Sequence, residues 1–248
     1  MSVNRDVSRR LKSYLFTPMF MLCVMISVGV GVAFSSSYPL VGGLYRYQAG
    51  VPYMFVENVD LKRVIEWMIP HLLVSLIVGR QTEESLGTAR YELPRYQSPM
   101  QWWLRVNLAT YGLIVLFYLL IFGSLWGVSV MGGRAYSAED WSIWLSMIAQ
   151  IMLTMAALMT GQMVVHLYTQ RSIYAAGAFF LVILLSVFLP SQDSARYAMG
   201  SWMMYCRSQV ISGECGYAPQ TVLLGNLGIL CLEYGCVYIL FRFKRNLW

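Results

Sequence analysis

The sequence predicts an all-α polytopic membrane protein, a bundle of six transmembrane helices, and three observations carry that expectation. Only 12% of the 248 residues are charged and 58% are hydrophobic, with a mean hydropathy of +0.55. A soluble domain carries about 25% charged residues, and half that density leaves too few charges to cover a water-facing surface. The apolar residues gather in blocks of the length, about 20 residues, that crosses a hydrocarbon core as a helix. Finally, Trp67, Trp102, Trp103, Trp126, Trp141, Trp144 and Trp248 stand at the edges of those blocks, where amphipathic rings settle at a membrane interface.

The elements follow in order. Residues 15–34 form the first span, behind Arg5, Arg9, Arg10 and Lys12. That charged start is like a signal peptide's, but the block is long enough to cross and no A-x-A-like site follows, so it reads as a retained span. Residues 64–78 form a short second span whose helix begins near Asp60, and residues 102–128 form a third, long enough to tilt. Residues 142–165, 173–189 and 222–241 complete the six, so residues 1–248 read as a single transmembrane domain.

Charge sets the orientation. With the N-terminus inside, the cytoplasmic segments hold Arg5, Arg9, Arg10, Lys12, Arg80, Arg90, Arg95, Arg105, Arg171, Arg242, Lys244 and Arg245. The outer segments hold Arg46, Lys62, Arg63, Arg134, Arg196 and Arg207. The excess inside predicts a multi-pass protein of the cell membrane with both termini cytoplasmic. Topology thereby accounts for the net charge of +6, and no nucleic-acid partner is implied.

The connections differ in character. Residues 35–62 are an outer segment rich in Gly, Tyr and Pro, residues 132–140 a short outer turn, and residues 167–172 a tight inner turn. Residues 190–220 are a long outer segment bracketed by Pro190 and Pro219, and within it residues 195–205 are apolar enough to lie on the membrane or dip into it. Cys206 and Cys215 share that segment, where they form either a disulfide on an oxidising face or two thiols. Cys23, Cys231 and Cys236 fall in spans and read as packing residues.

Several chemistries are set aside. The only histidines, His71 and His166, lie in different spans without an H-E-x-x-H or a Cys/His cluster, which argues against zinc. No G-x-S-x-G and no phosphate-binding G-x-x-x-x-G-K-[ST] occurs, so no catalytic residue, cofactor site or metal site is expected in this chain. If ATP drives the protein, a partner subunit binds the ATP and its magnesium.

The most polar stretch, residues 81–101, is the most informative. Thr82 can cap a helix with Glu83 and Glu84 in its first turn, Gly87 can end it, and Pro94 breaks the chain before the third span. A short charged helix under the membrane, between spans two and three, suits docking to a soluble partner. Here the chain resembles ABC-transporter permeases of the type-2 export class. Glu84-Ser85-Leu86-Gly87-Thr88, Leu93-Pro94-Arg95 and Arg105 follow the order found around that class's cytoplasmic coupling helix. Residues 5–13 match its basic amphipathic helix before span one, and residues 190–220 its partly re-entrant outer hairpin between spans five and six.

The resemblance implies a membrane subunit of an ATP-driven exporter, working with ABC ATPase subunits and a second permease chain, identical or paralogous. It places Glu83, Glu84, Gly87, Thr88, Arg90, Pro94 and Arg95 at the ATPase contact, and implies a hydrophobic or amphipathic cargo such as a small peptide. The alternative is an ATP-independent channel, carrier or scaffold. Within the spans, Glu233 either lines a cavity or bonds to a neighbouring helix, since a carboxylate in the bilayer needs a partner. Asn107, Gln150 and Gln162, with His166, are expected to hydrogen-bond between helices rather than to touch cargo.

Overall fold

The structure is a computed structural model in which residues 3–35, 50–51, 61–133, 137–188, 197–209 and 216–243 are described. Among the described residues the chain is helical almost throughout and contains no strand, only a lone parallel bridge between Ser208 and Tyr217.

Helix α1 spans Val3–Leu15 and α2 spans Pro18–Ser35. They meet at an angle of 63°. The bend has a local cause. Pro18 lacks the donor that would continue α1, and the Thr17 hydroxyl instead accepts the Phe20 N–H at 3.3 Å, starting a new helix. Helix α3 runs over Leu61–Glu92 and tolerates Pro70 within it. A 3-10 turn, Leu93–Arg95, leads to α4, Pro99–Met131, which starts where the Ser98 hydroxyl accepts the Gln101 N–H at 3.2 Å. Helix α5, Ala138–Thr169, opens on a capping box between Ser137 and Asp140 and closes at Gln170 in the left-handed region (φ 57°). Helix α6 is Ser172–Val187 and α7 is Pro219–Phe243.

Helix α5 is the hub, packing on α3, α4, α6 and α7, while α1 and α2 lie against α4. Its Met147, Ile151, Met155, Met159 and Met163 are buried, as are Leu113, Ile114, Phe117, Tyr118 and Ile121 of α4. The outer surfaces are apolar as well: Leu224 and Leu232 of α7, Leu181 and Leu185 of α6 and Met25 of α2 are exposed. A chain that is apolar on both its inner and outer faces is built for a hydrocarbon surround.

Three helices are long and apolar enough to cross a membrane: Pro99–Met131, Asp140–Thr169 and Pro219–Phe243. A fourth is added if the bent pair α1–α2 counts as one span. The count from length and composition is thus three or four where six blocks were expected. The physical reasons lie in the remaining two. The run in α3 is interrupted by Glu66, Pro70, His71 and Arg80, and α6 has only 16 residues.

A second difference concerns the cytoplasmic segment expected to hold a separate short helix. Helix α3 passes through it without a break. Thr82 does not cap; its hydroxyl donates to the Val78 carbonyl at 2.7 Å, one turn back in the same helix. Gly87 does not terminate. Packing of Ser85 and Ala89, and an ion pair from Arg10 to Glu92 in the last turn, offset the roughly 1 kcal/mol that a mid-helix glycine costs.

The segment after α6 folds inward. Two 3-10 turns, Met199–Met203 and Tyr205–Arg207, pack against α5 and α6 with Trp202, Met203, Met204 and Tyr205 buried. The buried Arg207 holds this end together. Its Nε donates to the Val51 carbonyl at 2.8 Å and its Nη1 to the Ser186 carbonyl and the Ser201 hydroxyl, both at 2.9 Å.

Candidate functional site

Two groups of polar residues stand out, one at the end of α3 and one between the helices. At the end of α3, Glu83, Glu84, Gly87, Thr88 and Arg90 are all exposed, and so are Pro94 and Arg95 in the turn that follows. The helix is two-sided here, since Gln81, Thr82, Ser85 and Ala89 are buried. Its outward charges are lightly engaged. Arg80 Nε donates to Glu84 Oε1 at 3.0 Å with both side chains more than half exposed, and Arg90 lies over the Tyr91 ring at 4.7 Å. Exposed pairs of this kind are worth well under about 1 kcal/mol, so they are free to re-pair with a partner.

Behind this face lies a charge cluster that fixes it to the rest of the molecule. Arg10 on α1 pairs with Glu92, the last residue of α3, and Arg10 Nε stands 3.8 Å from Asp6 Oδ2. The Tyr96 hydroxyl donates to Asp6 Oδ2 at 2.5 Å, the Trp102 indole N–H donates to Glu92 Oε2 at 2.9 Å, and Arg105 reaches Asp6 at 3.7 Å. Burial alone would raise the Asp6 carboxyl. The Tyr96 hydrogen bond and the charges of Arg10, Arg9 and Arg105 outweigh it and hold Asp6 below its ordinary value. For Arg10 burial works downward, and the bonds to Glu92 and Tyr96 overcome it.

Sequence reasoning missed this cluster. It took Arg10 as a topology charge within the basic helix of residues 5–13 and Arg105 as a topology charge and part of the family-like order, and gave Asp6, Glu92 and Tyr96 no role. The one available signal was local: Asp6 precedes Arg9 and Arg10 by three and four positions, the spacing of helical ion pairs.

The second group runs between helices α3, α4, α5 and α7. The Ser75 hydroxyl donates to Gln162 Oε1 at 2.7 Å, and Gln162 Nε2 returns a bond to the Ser75 carbonyl at 3.0 Å. Gly79 makes room for that amide, since a Cβ there would stand 3.2 Å from Gln162 Nε2. The Thr160 hydroxyl donates to Asn107 Oδ1 at 3.3 Å and lies 2.8 Å from the Tyr111 hydroxyl, which lies 3.3 Å from that of Tyr234. Gln150 donates to the Trp202 carbonyl at 2.6 Å and also bonds the Tyr217 hydroxyl. Gln162 and Asn107 therefore bond from helix to helix, while Gln150 fastens the inward-folded segment. Glu233 stands beside the Tyr234 end of this column, half-buried.

The remaining candidates are separate. His71 bonds Tyr118 through Nδ1 at 2.5 Å, and His166 sits in the last turn of α5. Cys206 is buried in its 3-10 turn, and Cys215 lies outside the described residues.

Chemically, the face on α3 can dock a partner, and the column can bind or orient polar groups between helices. Set against known families, curated proteins and solved structures, the chain matches no family model, no curated protein and no solved structure.

Proposed function

We propose that the chain is the membrane-spanning permease subunit of an ATP-driven exporter of the ABC class. Two permease chains, identical or paralogous, pair in the cell membrane, and two separate ATPase subunits dock on the ends of α3. In this reading α3 and α6 join α2, α4, α5 and α7 as the six spans, with both termini cytoplasmic. At about 24 Å, α6 is short for a bilayer, which thins or is met by flanking residues at such a helix.

One observation carries the reading. The seven residues that the resemblance places at the ATPase contact are all exposed, Glu83, Glu84, Gly87, Thr88 and Arg90 near the end of α3 and Pro94 and Arg95 in the turn after it, and a charge cluster ties that end to α1. A push on that end would not be lost in loop motion. It would pass along α3 and, through Glu92 and Arg10, into α1 and α4, tilting the bundle between its two states. The cargo is hydrophobic or amphipathic, with small peptides first by resemblance, and it passes between paired bundles or from the lipid.

Copurification tests this. Glu84→Arg leaves the bundle intact because the side chain lies outside the core, but it opposes a charge at the docking face, a loss of about 2–5 kcal/mol where such a pair is desolvated. The variant should insert normally and retain roughly 30-fold less ATPase, while Arg134→Glu, whose position in the sequence falls between α4 and α5, retains it. If no ATPase copurifies with the unaltered chain, an ATP-independent channel, carrier or scaffold replaces this reading.

A further inference from the structure

Glu233 lies far from either end of α7, Pro219–Phe243. Its carboxyl group has two different surroundings. Oε1 faces the bare backbone of Gly161 on α5, where a Cβ would stand only 2.6 Å away. Oε2 is buried and receives no hydrogen bond. None of the ion pairs among the described residues includes Glu233. The nearby hydroxyls do not answer this need, because Tyr234, Tyr111 and Thr160 are engaged with one another.

An acceptor left open in an apolar surround favours a guest that brings both a donor and a positive charge, since attraction grows as the local dielectric falls. Along the same helix, Leu232 is 71% exposed, and Cys236 and Ile239, four and seven residues on from it, are exposed too, an apolar stripe on the neighbouring face of α7.

We propose that Glu233 anchors a binding seat for cationic amphipaths: the guest's ammonium or amidinium pairs with Oε2 next to Tyr111 and Tyr234, and its apolar part lies along α7. This rests on the transport reading and narrows its cargo from amphipaths in general to those that carry a positive charge.

The test uses the full purified chain in detergent without any ATPase. Rhodamine 6G, a cationic amphipathic dye, and Nile red, an uncharged one, are titrated by fluorescence anisotropy. Rhodamine 6G should bind the unaltered chain saturably. Glu233→Gln should weaken that binding by about tenfold or more, with Nile red unaffected. Glu233→Asp keeps the charge and should retain most of the binding. Gly161→Ala displaces the carboxyl without removing it, should also weaken binding, and serves if Glu233→Gln fails to fold. Arg9→Gln, a charge change at an exposed position outside both sites, should change nothing. Equal rhodamine 6G affinity in the unaltered chain and in Glu233→Gln overturns the proposal, as does the lack of saturable binding to the unaltered chain. Absence of a copurifying ATPase would overturn the exporter reading and leave this one standing.

Discussion

At the scale of single residues, the decisive contrast is between charges that face out and charges that face in. Glu83, Glu84 and Arg90 face out, as charges in the most polar stretch of a chain generally do. Asp6, Arg10, Glu92 and Tyr96 face in, and beyond the helical spacing of Asp6 to Arg9 and Arg10 nothing local announces it, because Arg10 meets Glu92 and Tyr96 across 82 and 86 residues of chain. Long-range polar pairing is invisible to any reading that scans windows. The inward cluster also makes the stronger claim on stability. Removing Arg10 leaves Asp6 and Glu92 without their shared partner in a partly buried site, which costs about 3 kcal/mol. Arg10→Ala should therefore lower the thermal midpoint of the purified chain markedly, and Arg9→Ala, whose side chain is 61% exposed, should barely move it. Equal midpoints for the two variants would remove the cluster from any account of how α1 is held.

At the scale of elements, the sequence marks several helix starts and gives one false start, at Thr82, and one false stop, at Gly87. Ser98 with Pro99, Ser137 with Asp140, and Pro219 all stand where helices begin, because capping and proline chemistry act over three or four residues. Thr82-Glu83-Glu84 carries the same start signal inside α3, and there tertiary contacts override it. The polar reach of α3 is thus one rigid rod rather than a hinged helix. Gly87 sits in that rod with nothing within 4 Å of where its Cβ would be and without a positive φ. Gly87→Ala should then stabilise the helix by about 0.5–1 kcal/mol. A raised thermal midpoint would fit a continuous rod. A drop would mean that the glycine is needed as a break.

At the scale of the whole molecule, the apolar exterior was legible in broad terms, since it follows from long apolar blocks, while the hub position of α5 was not, because block length does not say which helices are neighbours. Nor was the number of crossings. Glu66 and Pro70 in α3, and the shortness of α6, leave two elements whose role depends on the lipid around them. Labelling in intact cells addresses the layout. With both termini inside, a membrane-impermeant maleimide should react with Ser137→Cys and spare Thr88→Cys, both of which are exposed positions. Reaction at position 88 would invert or break the six-span arrangement. The tie between Arg10 and Glu92 bears on how such an arrangement arises during synthesis. While the early chain emerges, Glu92 does not yet exist, and Arg10 has only Asp6, at 3.8 Å, as a counter-charge. The cationic stretch ahead of α2 thus meets the insertion machinery at nearly full strength, when orientation is being decided. Only after α3 is made does Glu92 capture the same arginine, so a charge that first steers the nascent chain ends as the fastening of the finished one.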